Sequence, residues 1–158
     1  MQIMTYARRI LALFIGPVAF EVARAQDAAA GTTTAETVVG CSIANPANPT
    51  GPSKVLRVYY VPAAGVTAHD TDYATITVSK YTAAGASKTT VATITTQTTG
   101  GGGSGDWTAL VPMEITLSST LANRIVEPKA TLTYEIAKAS GGVQLPAGKL
   151  VVVLGDAY

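Results

Sequence analysis

Residues 55–81 read VLRVYYVPAAGVTAHDTDYATITVSKY, and their periodicity decides the fold. Leu56, Val58 and Tyr60 fall on one side of an extended chain and Val55, Arg57 and Tyr59 on the other. After a Pro-headed loop, Ala74, Ile76 and Val78 alternate with Thr75, Thr77 and Ser79. A period of two with β-branched and aromatic residues marks half-buried strands. Neither strand carries a chemical motif, so the stretch points to a scaffold that presents surfaces.

The same style continues on both sides. Lys54 to Val61, Tyr73 to Tyr81 and the Thr-rich Thr89 to Thr98 read as strands, with Ala83 to Ser87 as a hairpin-like link. Trp107 to Leu117 is expected to be one edge strand with Val111, Met113, Ile115 and Leu117 on one face, Pro112 assigning it to an edge. Ser118 to Arg124 has room for a single helical turn. Thr131 to Lys138 turns Leu132, Tyr134 and Ile136 inward. Lys149 to Leu154, KLVVVL, is apolar on both faces, as expected of a strand that is central in its sheet or covered by a subunit contact. Glu36 to Ala44 reads as a further strand, with Gly40 marking a bulge or close approach. Prolines 46, 49 and 52 and glycines 100 to 103 and 105 mark loops. Eight to ten strands without an amphipathic helix predict an all-β protein. The expected form is an antiparallel β-sandwich or barrel of jelly-roll or immunoglobulin-like kind, spanning 36–158 and preceded by an N-terminal arm at 1–35.

Composition narrows the function classes. The chain has 158 residues, enough to bury a core without cross-links, and a single cysteine, Cys41, which excludes an internal disulfide. Eleven basic residues against ten acidic leave a net charge of +1 with no basic run, so no footprint for nucleic acid is present. Charged residues make up only 13%, about half the usual share, and so thinly charged a surface suits a chain covered by partners.

The first 26 residues admit two readings. Arg8 and Arg9, the apolar run from Ile10 to Phe20 and Ala23-Arg24-Ala25 before Gln26 follow the grammar of a secretory signal peptide. Gly16, Pro17 and Glu21 interrupt that grammar, and the same residues read as two short strands, Ile10 to Ile15 and Val18 to Val22. The run is shorter than the roughly 20 apolar residues a membrane-spanning helix needs, and no membrane partner is expected. As strands, Ile10, Leu11, Leu13, Phe14, Val18, Phe20 and Val22 form an arm suited to partner binding by strand addition. Leu150 and Val152 of the terminal strand are the other expected partner contacts.

Candidate chemistry is sparse. His69, the only histidine, sits in Ala68-His69-Asp70-Thr71-Asp72, where Asp70 and Asp72 favour a solvated turn over a metal site. A zinc site built with one His and one Cys would need mostly carboxylates. The chain lacks the G-x-S-x-G elbow, and a carboxylate pair among Glu114, Glu127 and Glu135 has no support in spacing. Tyr59, Tyr60, Tyr73, Tyr81, Trp107 and Tyr134 are read as strand packing in preference to a sugar platform. No catalytic residue, metal or cofactor is expected, and the chain is read as a non-enzyme.

Three strings carry a resemblance. VYYVPAAGVTAHDTDYATITVSKYTAAG at 58–85, W-x-x-L-V-P-x-x-I-T-L-S at 107–118 after the Gly-rich segment, and PAGKLVVVL at 146–154 resemble a module of tailed-bacteriophage head decoration, cement and head-fibre proteins, over roughly 36–154. The resemblance implies a structural protein on the outer capsid surface of the virion, commonly a homotrimer, that reinforces contacts between major capsid protein subunits. It supplies no catalytic residues. The alternatives are an exported bacterial sandwich, adhesin-like or carbohydrate-binding, made with a signal peptide, and a phage tail or fibre component.

Overall fold

A computed structural model describes residues 18–24, 51–98, 103–139 and 145–157. It is an all-β sandwich of two antiparallel sheets. The strands are β1 (Val18–Arg24), β2 (Ser53–Pro62), β3 (Ala74–Tyr81), β4 (Thr89–Thr95), β5 (Met113–Glu114), β6 (Thr116–Leu117), β7 (Ile125–Val126), β8 (Thr131–Lys138) and β9 (Gly148–Asp156). One helical turn, α1 (Leu121–Arg124), precedes β7. The first sheet runs β1-β9-β2, with both β5 and β7 on the far side of β2. The second runs β6-β4-β3-β8. Residues 10–15 and 36–44, with Cys41, lie outside the described residues.

The alternation of β3 and β8 holds as the sequence predicts: Ala74, Ile76, Val78, Leu132, Tyr134 and Ile136 are all buried. They face Val55, Val58 and Tyr60 of β2 and Leu150, Val152 and Leu154 of β9 across the core. Each of the Val, Leu and Ile side chains among them contributes about 1.5–3 kcal/mol by leaving water. β9 takes the central place its two-faced apolar sequence demands, hydrogen-bonded to β1 on one side and β2 on the other.

Two expectations fail for physical reasons. In β2 the inward residues are Val55, Val58 and Tyr60, because the register with β9 slips between Val55 and Arg57. Leu56 is the extra residue of this bulge, is 38% exposed, and lies over Gly155, where a Cβ would sit 2.7 Å from its Cδ1. The stretch 107–117 is not one strand. Trp107 makes an isolated bridge with Val66, Leu110 adopts φ +62°, and Pro112 has no N–H to give a ladder. The chain re-enters the first sheet as β5 and passes through the fully buried Ile115, whose N–H donates to Val58 O at 2.8 Å. It then joins the second sheet as β6, beside β4. Ile115 therefore marks the corner where one segment serves both sheets.

Candidate functional site

The described residues with chemical potential are dispersed. His69 Nδ1 accepts the backbone N–H groups of Thr71 at 3.3 Å and Asp72 at 3.0 Å, which places the proton of the neutral ring on Nε2. Asp70 Oδ1 accepts the N–H of Thr98 at 2.9 Å, tying the loop to the end of β4. The His69 and Asp70 side chains thus act as turn makers. No group of three or more His, Cys, Asp or Glu side chains able to hold a metal occurs among the described residues. Glu135 pairs with Lys88 on the outer face of the second sheet. Glu114 sits on the outer face of the first, opposite Tyr59. There the Arg57 guanidinium donates to Tyr59 Oη at 2.9 Å, and this bond, with the charges of Tyr59 and Glu114, raises its pKa.

Among the described aromatic residues, three are core. Tyr60, Trp107 and Tyr134 are buried, and Tyr60 and Trp107 pack with ring centroids 5.9 Å apart. Tyr60 Oη donates to Pro146 O at 2.7 Å, and the Trp107 indole N–H donates to Ser104 Oγ at 2.6 Å. These bonds hold two loops against the core.

Of the expected partner contacts, Leu150 and Val152 are core residues, 3% and 5% exposed. They pair in register with Val22 and Phe20, and Val18 pairs with Leu154. The alternate residues of β9, Val151 and Val153, are half-buried on the outer face. Ile10, Leu11, Leu13 and Phe14 lie outside the described residues.

A different surface stands out at the end of the sandwich where β2 stops. Residues 62–65, 108–112 and 146–148 meet there without a single charged side chain. Backbone bonds lock them together: Leu110 N–H donates to Pro62 O at 2.8 Å and Ala63 N–H to Ala147 O at 2.7 Å. Gly148 allows the close approach, since a Cβ there would lie 2.5 Å from Val61 O. Ala63, Ala64, Ala109 and Pro112 are exposed, Leu110 is 74% exposed and Val111 47%. Leu110 holds a left-handed backbone that a branched side chain disfavours by about 1–2 kcal/mol. The chain thus spends strain to display an apolar side chain in water, a combination that points to an interaction surface. No protein-family model, no curated protein and no solved structure matches this chain.

The alternation of 107–117 hid this surface, since it sends Val111 inward with Ile115. Pro112 behind two apolar residues was the only local sign of a break.

The opposite end carries a cleft of about 420 Å³ between the β3–β4 connection and the segment around β7. Tyr81, Ala83, Thr89, Ile125, Glu127 and Ala130 line it together with Lys80. Lys80 Nζ donates to Ala122 O and Ile125 O, closing the C-terminal end of α1. Burial lowers the pKa of this ammonium and outweighs the opposing pull of Glu127.

Proposed function

We propose that the chain is a structural virion protein without enzymatic activity, which binds the outer capsid surface of a tailed phage and ties neighbouring major capsid protein subunits together. The observation that carries this reading is the rigid, uncharged, apolar loop end around Leu110, on a chain of low overall charge. The strand and turn strings that resemble phage head decoration modules supply the location. A protein that binds the assembled lattice and not free subunits stabilises the lattice by mass action, and repetition over the particle multiplies a modest contact.

The pairing of β1 with β9 weighs against an exported sandwich. Cleavage after Ala25 would remove β1 and leave β9 as an open edge. Intact-mass measurement of the mature protein separates the two readings, since a chain starting at Gln26 supports export.

Particles assembled with and without the chain test the proposal. Particles that carry it should withstand heat and low salt better, with its density on the outer shell in particle images. Equal robustness of both kinds of particle would rule the reinforcing role out.

A further inference from the structure

We propose that His69 is an acid-sensitive latch: its neutral ring holds the loop 68–72 against the chain leaving β4, and protonation of Nδ1 releases it. The inference goes beyond the capsid reading and does not depend on it.

The device lies in one nitrogen. His69 Nδ1 accepts the N–H of Asp72 at 3.0 Å and that of Thr71 at 3.3 Å, and the Thr71 hydroxyl lies 3.0 Å from it. An imidazole nitrogen can accept only while it carries no proton. Once Nδ1 is protonated it becomes a donor, and the backbone N–H groups of Thr71 and Asp72 lose their acceptor together. The new N–H finds an acceptor in Asp72 Oδ2, 3.5 Å away. One proton therefore selects between two discrete hydrogen-bond arrangements of the same turn.

The turn carries other ties with it. The His69 N–H donates to Thr96 O at 3.1 Å, Asp70 Oδ1 accepts the Thr98 N–H at 2.9 Å, and Asp70 O accepts from Gln97 Nε2 at 3.4 Å. On its other side the Ala68 N–H donates to Asp106 Oδ1 at 2.8 Å. A turn that rearranges at 69–72 withdraws Asp70 from Thr98 and loosens the exit of β4. Val66, bridged to Trp107 by backbone bonds of 2.8 and 3.0 Å, marks where the released part stops. The His69 side chain is 54% exposed, so a proton reaches it without any opening of the core.

The neighbouring charges fit this role. Asp70 and Asp72 come from the loop itself and Asp106 from the facing segment, while residues 96–98 bring none. Asp70 and Asp106 each hold a backbone N–H, which leaves Asp72 to receive the ring proton. Lys138 of β8 stands opposite Ala74, which is bonded to Thr96, so it lies three strand spacings or about 14 Å from His69. The sign follows: the neutral ring closes the latch, and the bonds are lost as pH falls through the histidine range.

His69 is the only histidine, and carboxylates keep their charge between roughly pH 5.5 and pH 8, so that window isolates it. Nitrogen-15 NMR and amide hydrogen exchange of the full chain read the latch directly. At the upper end the ring should carry its proton on Nε2. Through the ring's own titration the Thr71, Asp72 and Thr98 N–H groups should lose protection by about fivefold, the worth of one net hydrogen bond. Val66 and Ile115, bonded to Trp107 O and Val58 O, should keep theirs. His69→Asn, whose side-chain oxygen accepts at any pH, should hold the loop closed throughout. His69→Ala should leave it open throughout. A ring protonated on Nδ1 at the upper end, unchanged protection at any of Thr71, Asp72 or Thr98, a loss shared by Val66, or the same pH response in His69→Asn would each overturn the proposal.

Discussion

Two buried threonines show how the same side chain can stabilise or burden one sheet. Thr96 is fully buried, and its Oγ1 accepts the N–H of Ala74 at 3.0 Å while its own N–H donates to Ala74 O. Thr133 is also buried, opposite Ser79 in the register, but neither hydroxyl has a hydrogen-bond partner among the described residues. A buried polar group without a partner carries a desolvation penalty of about 1–3 kcal/mol, whereas an apolar replacement of like shape carries none. Thr96→Val should therefore destabilise the fold by about 1–3 kcal/mol, because the Ala74 N–H is left unpaired. Thr133→Val should be neutral or stabilising by up to about 1 kcal/mol. Urea unfolding of both variants checks the pair, and a similar loss in each would mean that Thr133 has a partner.

The strands were legible where the alternation of two ran unbroken. β3 and β8 place their apolar residues inward as the sequence predicts, and KLVVVL takes the central place that is one of the two settings its composition allows. The bulge at Leu56 was not legible, because Leu, Val and Tyr on one side and Val, Arg and Tyr on the other are both acceptable faces. Only the pairing with β9 chooses between them. The exposed end at Leu110 was hidden for a related reason: its residues look like core, and the turn that displays them depends on a bond to Pro62, 48 positions earlier. The arm is a mixed case. Val18 to Val22 reads as a strand in sequence, but nothing local says that β9 receives it. Directly opposed residues of antiparallel strands lie within reach of a disulfide. Glu21→Cys with Val151→Cys, in a Cys41→Ser background, should oxidise to a single intrachain bond, since Glu21 and Val151 are register partners. A non-reducing gel with intact-mass analysis reads it, and free thiols or dimers linked between these positions would show that β9 takes a different neighbour.

How the two sheets act as one unit depends on the segment that belongs to both. Sandwich faces are held mainly by apolar contact, but β5 and β6 are joined by Ile115 alone, with β5 beside β2 and β6 beside β4. Ile115 is fully buried, and its backbone bond to Val58 O fixes the corner. Loss of its side chain should therefore weaken the first and second sheets together. Ile115→Ala should destabilise the protein by about 2–5 kcal/mol, the range for large-to-small changes in a packed core. The denaturant slope should stay unchanged while the midpoint falls, the signature of lower stability without a change in the surface exposed on unfolding. Leu110→Ala, five residues earlier but on the exposed end, should leave the midpoint within about 0.5 kcal/mol of wild type. Fluorescence of the buried Trp107 and far-ultraviolet circular dichroism should report one coincident transition in each variant. Separate transitions in Ile115→Ala would mean that the sheets are held together elsewhere and that the corner only connects them.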